Sequence, residues 1–86
     1  MESLTIHALV YVLECAEDKI YVGKTHNLNL RLSQHWSGQG AKWTRLYPPK
    51  KLLRVILDET EEKVTQDYIC LFGAKNVRGG SWTKCP

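Results

Sequence analysis

Apolar positions along the chain fall in short runs, and the spacing inside each run predicts its element. His7 to Cys15 reads HALVYVLEC. A continuous apolar stretch this short, rich in Val and Tyr, is the pattern of a strand buried on both faces. Ala16, Glu17 and Asp18 suit a hairpin turn. Lys19 to Lys24, KIYVGK, follows as a second strand that ends near Gly23. The connection is too short for a crossover helix, so the two strands pair antiparallel.

The period changes at Asn27. In NLNLRLSQHW, Leu28, Leu32 and Trp36 recur at every fourth residue. This predicts a short amphipathic helix capped by Thr25 or Asn27. Arg31 and His35 repeat at the same interval, on a face opposite the leucines. Ser37 to Gly40 is a loop, Ala41 to Tyr47 one short helical turn, and Pro48-Pro49 a break. Lys51 to Leu57, KLLRVIL, reads as a third strand, and Asp58 to Phe72 as a second long helix. Val64, Tyr68, Leu71 and Phe72 share one face of that helix, and Gly73 is a natural C-terminal cap. The tail NVRGGSW is rich in turn residues. The order is therefore ββαβα. It predicts an α/β fold with a small three-stranded, mainly antiparallel sheet flanked by helices, as a single domain over residues 1–86.

Composition narrows the class. A hydrophobic fraction of 43% with an ordinary charged fraction makes a core and argues against disorder. No apolar run approaches the roughly 20 residues of a membrane helix, so no membrane partner is expected. The three cysteines, Cys15, Cys70 and Cys85, are odd in number and form no CxxC pair. They and the histidines lack the ligand spacing of a zinc site. With no short apolar leader at the start, this usage predicts free thiols and an intracellular setting, cytoplasm or nucleus. Five of the nine acids (Asp58, Glu59, Glu61, Glu62 and Asp67) sit within ten residues. The rest of the chain is strongly basic, a charge balance that suits a polyanion.

Two tyrosines stand ten apart, Tyr11 in LVY and Tyr21 in YVG. An even spacing across a tight hairpin puts both on one face of the sheet. Core packing is the plain reading of such a pair, since tyrosine favours strands. Lys24 follows YVG directly, and Arg31 and His35 are neighbours at i and i+4 on the helix.

In that order, LVYV…KIYVGKTHNLNLRLSQH resembles the signature of the GIY-YIG nucleases. Tyr11 matches the tyrosine of GIY, although Leu9 replaces its glycine. Tyr21, Val22 and Gly23 match YIG, and Lys24 matches the basic residue after it. Arg31 and His35 match the helix pair, and Asn76 in KNVRGG resembles a late asparagine of the family. The resemblance implies a DNA endonuclease that hydrolyses phosphodiester bonds with one Mg²⁺ or Mn²⁺ ion, in DNA repair or recombination. Its catalytic residues would be Tyr11, Tyr21, Lys24, Arg31, His35 and Asn76.

The family's metal-binding glutamate lies on a helix after the third strand, and Glu61 is its first candidate here. A carboxylate near the centre of that helix's apolar face makes sense only opposite something cationic. Glu62 and then Asp67 are the other candidates. One acidic ligand suffices for Mg²⁺, which keeps several waters. Arg31 would hold phosphate oxygens in a fork. A tyrosine would serve as the general base, either Tyr11 or Tyr21, with His35 as the rival because it titrates near neutrality. Asn76 would fix this constellation by hydrogen bonds. Lys42, Arg45, Lys50 and Arg78 would bind DNA phosphates, and Trp43 would either stack on a base or fill the core. An additional partner or a homodimer would supply specificity. Two alternatives remain: a non-catalytic nucleic-acid-binding module of the same fold, and a basic protein-interaction domain.

Overall fold

The computed structural model describes residues 8–57 and 59–79. The apolar run at the start forms β1 (Leu9–Cys15), and KIYVGKT forms β2 (Lys19–Thr25). They pair antiparallel as expected, with Tyr11 opposite Gly23 and Leu13 opposite Tyr21. The tight connection is a single 3-10 turn in which Glu17 and Asp18 both take positive φ. The third strand, β3 (Pro49–Ile56), flanks β1 antiparallel, so β1 is central and buried. His7, read as the first residue of β1, lies outside the described residues.

The sheet has four strands rather than three. Val77–Gly79 forms β4, which pairs parallel with Ile20–Val22 at the far edge and gives the order β3-β1-β2-β4. The turn-rich tail hides this strand because only three residues form it, and their pairing is non-local. The fold is thus α/β with a mixed sheet.

Helices cover both faces. Asn27 caps α1 (Leu28–Trp36), its side chain accepting from the Leu30 amide at 3.1 Å. The short helix α2 (Lys42–Leu46) follows. Thr60 caps α3 (Glu61–Phe72) by accepting from the Lys63 amide at 3.1 Å, which starts that helix three residues later than Asp58. Asp58 itself lies outside the described residues. On one face, Val10, Val12, Ile20 and Val22 pack against Val64, Tyr68 and Val77. On the other, Tyr11, Leu13 and Cys15 pack with Tyr21, Leu28, Leu32 and Tyr47.

Two helical faces differ from the pattern reading. Along α3 the buried residues are Val64, Thr65 and Tyr68, whereas Leu71 and Phe72 in the last turn are exposed. Along α1, Trp36 is half exposed and His35 is buried. At about 100° per residue, His35 lies only about 20° from Leu28 on the helix wheel. The Arg31 and His35 face is therefore the packed face itself, not one opposite the leucines.

Candidate active site

Strand alternation sets the floor of the site. Tyr11 and Tyr21 occupy diagonal positions on adjacent strands and rise from the same face. Their ring centroids are 6.3 Å apart. The imidazole of His35 comes down from α1 between them, 5.6 Å from the Tyr11 ring and 5.1 Å from the Tyr21 ring. Two glycines open the space. A Cβ at Gly23 would collide with the phenol of Tyr11, and one at Gly40 would collide with His35 Nδ1.

The polar atoms form a buried chain. The Tyr11 hydroxyl lies 2.7 Å from His35 Nε2. On the other side of the ring, His35 Nδ1 lies 2.9 Å from Thr44 Oγ1. Thr44 Oγ1 in turn donates to the Ala41 carbonyl at 2.9 Å. The Arg31 guanidinium acts electrostatically on both phenols and donates to Gln34 Oε1 at 2.9 Å.

Burial governs the protonation states. It raises the Tyr11 pKa well above the ordinary phenol value, helped by Tyr21 and opposed by Arg31. Burial raises Tyr21 as well, again against Arg31. Burial and then the charge of Arg31 pull His35 down to about 4. At neutral pH the site therefore holds two phenols, a neutral imidazole and one guanidinium. Glu61, half-buried at the start of α3, acts electrostatically on both phenols. Glu62 is exposed, and exposed Asp67 pairs with Lys63 at 3.1 Å.

The remaining expected site residues lie elsewhere. Lys24 shares a rung with Val10, so alternation sets it on the α3 face of the sheet, and it is exposed. Asn76 donates to the Phe72 carbonyl at 2.7 Å and accepts from Lys19 Nζ at 3.1 Å, which ties the end of α3 to β2. Lys42 and Arg45 are exposed on α2, on either side of Trp43 and Thr44. Lys50 pairs with Glu14 at 3.5 Å near the Cys15 end of β1. Arg78 stacks over the Trp43 ring at 4.4 Å and donates to the Ala74 and Val77 carbonyls. Trp43 is core: it is buried, and its Nε1 donates to the Ile20 carbonyl at 3.0 Å. Cys15 is a buried free thiol, pushed up to about 12 by burial and by Glu14.

Thr44, Gly40 and Gln34 were not legible as site residues. Only Gly40, a small residue just past α1, carried any local hint. An apolar groove of about 470 Å³, lined by Glu14, Asp18, Ile20, Leu53 and Phe72, contains none of the tyrosine cluster. Among the described residues, no helix is long and apolar enough to cross a membrane.

The α/β domain thus gathers two tyrosines, an arginine and a histidine at one face of its mixed sheet. The chain belongs to the GIY-YIG catalytic domain family, whose profile matches residues 7–69. That stretch includes Tyr11, Tyr21, Arg31, His35 and Glu61 and ends before Asn76 and Arg78. Among its relatives, a UPF0213 protein of Streptococcus pyogenes serotype M5 (strain Manfredo) is 43% identical over 58 residues, covering 67% of this chain and 63% of that protein. A UPF0213 protein of Streptococcus agalactiae serotype V is 44% identical over 50 residues, 58% of this chain and 57% of its own. One from Natronomonas pharaonis is 46% identical over 44 residues, 51% and 52% of the two chains. The matched stretch thus spans less than two thirds of these relatives' length. No solved structure matches the chain.

Proposed function

We propose that this chain is a DNA endonuclease that hydrolyses phosphodiester bonds, with Tyr11 taking the proton of the attacking water and one Mg²⁺ or Mn²⁺ ion held by Glu61. The observation that carries this reading is the 2.7 Å bond between the Tyr11 hydroxyl and a buried, neutral His35, set beside the Arg31 guanidinium. Membership of a catalytic-domain family supports it.

A phenol whose pKa is raised is protonated at neutral pH and is a poor base on its own. The bond to His35 removes that obstacle. As the Tyr11 oxygen takes a proton from water, its own proton passes to His35 Nε2. The water oxygen bonds to phosphorus, the opposite P–O bond breaks, and its electron pair leaves with the departing oxygen. In the free protein this transfer is opposed by the low pKa of His35, to which Arg31 contributes. A phosphate on Arg31 offsets that positive charge and makes His35 more basic when substrate is bound. Arg31 grips the phosphate in two parallel bonds. Exposed Lys42 and Arg45 would take flanking phosphates.

The residues present fit a lightly held hard cation. Among the described residues, no three His, Cys, Asp or Glu side chains gather into a metal cage. Mg²⁺ usually keeps several waters and needs only one or two carboxylates, and Glu61, which acts electrostatically on both phenols, would provide one. When bound, the ion would supply positive charge to the leaving oxygen.

The test is nicking of supercoiled plasmid, branched and flap DNAs with Mg²⁺ or Mn²⁺ and with chelator. Metal-dependent cutting that Tyr11→Phe abolishes is the expected result. A folded protein that cuts none of them overturns the proposal. If it binds DNA with strong salt dependence and no need for metal, the non-catalytic binding module takes its place.

A further inference from the structure

The proton order along the buried chain is fixed from its Ala41 end, where the carbonyl can only accept. Thr44 Oγ1 has a single proton and lies 2.9 Å from that carbonyl. With its proton committed there, the Thr44 oxygen has only lone pairs to offer His35 Nδ1 at 2.9 Å. Nδ1 must therefore carry the imidazole proton. A neutral imidazole carries one proton, so Nε2 is a bare lone pair facing the Tyr11 hydroxyl. The Tyr11 proton then points at His35, and its oxygen keeps its lone pairs for an incoming donor.

We infer that Thr44 is a positioning residue that sets the tautomer of His35 and, through it, the direction of the Tyr11 hydroxyl proton. Thr44 and His35 are each 1% exposed, so water does not compete for these bonds. Gly40 keeps the geometry tight, because any Cβ there would push the imidazole off Thr44. The reversed order, with Thr44 donating to Nδ1 and Nε2–H donating to Tyr11, is the poorer solution. It would turn the Thr44 proton away from the Ala41 carbonyl and leave two oxygens facing each other at 2.9 Å with no proton between them. The consequence for catalysis rests on the proposed nuclease reading, but the tautomer assignment does not. In the reversed order the Tyr11 oxygen could not hand its proton to His35 as it takes one from water.

The experiment is nitrogen-15 NMR of the histidine-labelled chain, with the His35 signals assigned by their loss in His35→Asn. The wild type should show Nδ1 protonated and Nε2 bare. Thr44→Ser should keep that pattern. Thr44→Val, which preserves shape and removes the hydroxyl, should shift it toward protonated Nε2 or a mixture. In the nicking assay Thr44→Val should lose at least about tenfold in turnover, part of the roughly 10²–10⁴-fold worth of a general base, and Thr44→Ser should recover it. A wild type carrying its proton on Nε2 overturns the inference, even if Thr44→Val fails to fold. So does a folded Thr44→Val that keeps the wild-type tautomer. Absence of cleavage by wild-type protein counts against the nuclease reading alone, because the tautomer is measured without substrate.

Discussion

Tyr11 and Gly23 face each other across the β1–β2 hairpin, and the phenol of one fills the space a side chain on the other would need. The glycine of YVG is thus required by a neighbour on another strand rather than by its own backbone, whose φ is not positive. Gly23→Ala should both destabilise the domain and displace the Tyr11 hydroxyl from His35. Overpacking of this kind costs typically about 1–3 kcal/mol. At roughly 4–8 °C per kcal/mol for a domain of 60–100 residues, a thermal melt should show a clear drop. An unchanged melting temperature with full activity would mean that the ring moves aside freely.

The two tyrosines should behave differently when their hydroxyls are removed. Tyr11→Phe breaks the bond to His35 and should lower turnover by roughly 10²–10⁴-fold, the usual worth of a general base. It should also cost stability of about 1–3 kcal/mol, since the buried Nε2 of His35 loses its donor. Tyr21 makes ring contact with His35 but does not supply that bond, so Tyr21→Phe should lose less. The reverse ranking in a nicking assay would exchange their roles.

Stability should depend on pH through His35. Its pKa falls from an ordinary 6.5 to about 4 on folding. The unfolded chain therefore binds a proton more readily, and acid favours unfolding. The contribution is complete above about pH 6.5 and is lost progressively as pH falls toward about 4, on the order of 3 kcal/mol at about 1.36 kcal/mol per unit. Urea titrations between these limits should show the decline, and His35→Gln should flatten it. An equal slope in both proteins would assign the effect to other groups.

Hydrophobic spacing revealed the hairpin, β3 and both long helices because each is a local pattern of one period. It missed β4, whose three residues become a strand only by pairing with Ile20–Val22 more than fifty residues earlier. It gave the right phase for α3 through Tyr68 and failed in the last turn, where Leu71 finds nothing to cover it. The tyrosines, Arg31 and His35 stood out by their order and spacing. The side of α1 they occupy did not, because a histidine and an arginine read as solvent-facing until a buried threonine and a phenol are known to meet them. Arg78 and Trp43 show the same limit. A cation and an aromatic far apart in the sequence stack on each other at 4.4 Å.

Glu61 carries the riskiest prediction. Its position at the start of α3 lies in line with Val64, Thr65 and Tyr68, on the packed face. Thr65 Oγ1 donates to its carbonyl at 2.7 Å, which anchors the backbone of that turn. Its charge helps to raise the pKa of both phenols, after burial. If it holds the metal, Glu61→Gln should abolish cleavage, since the isosteric amide is a far weaker ligand for a hard cation. DNA binding should persist or tighten, because a negative charge near the phosphates is gone. Glu62→Gln, an exposed change one residue on, should be nearly silent, within about 0.5 kcal/mol in stability. Calorimetry with Mn²⁺ should find one site in wild type and none in Glu61→Gln. Undiminished cutting by Glu61→Gln would remove this carboxylate from the mechanism. Loss of both cutting and DNA binding would instead mean that Glu61 supports Arg31 and the phenols rather than an ion.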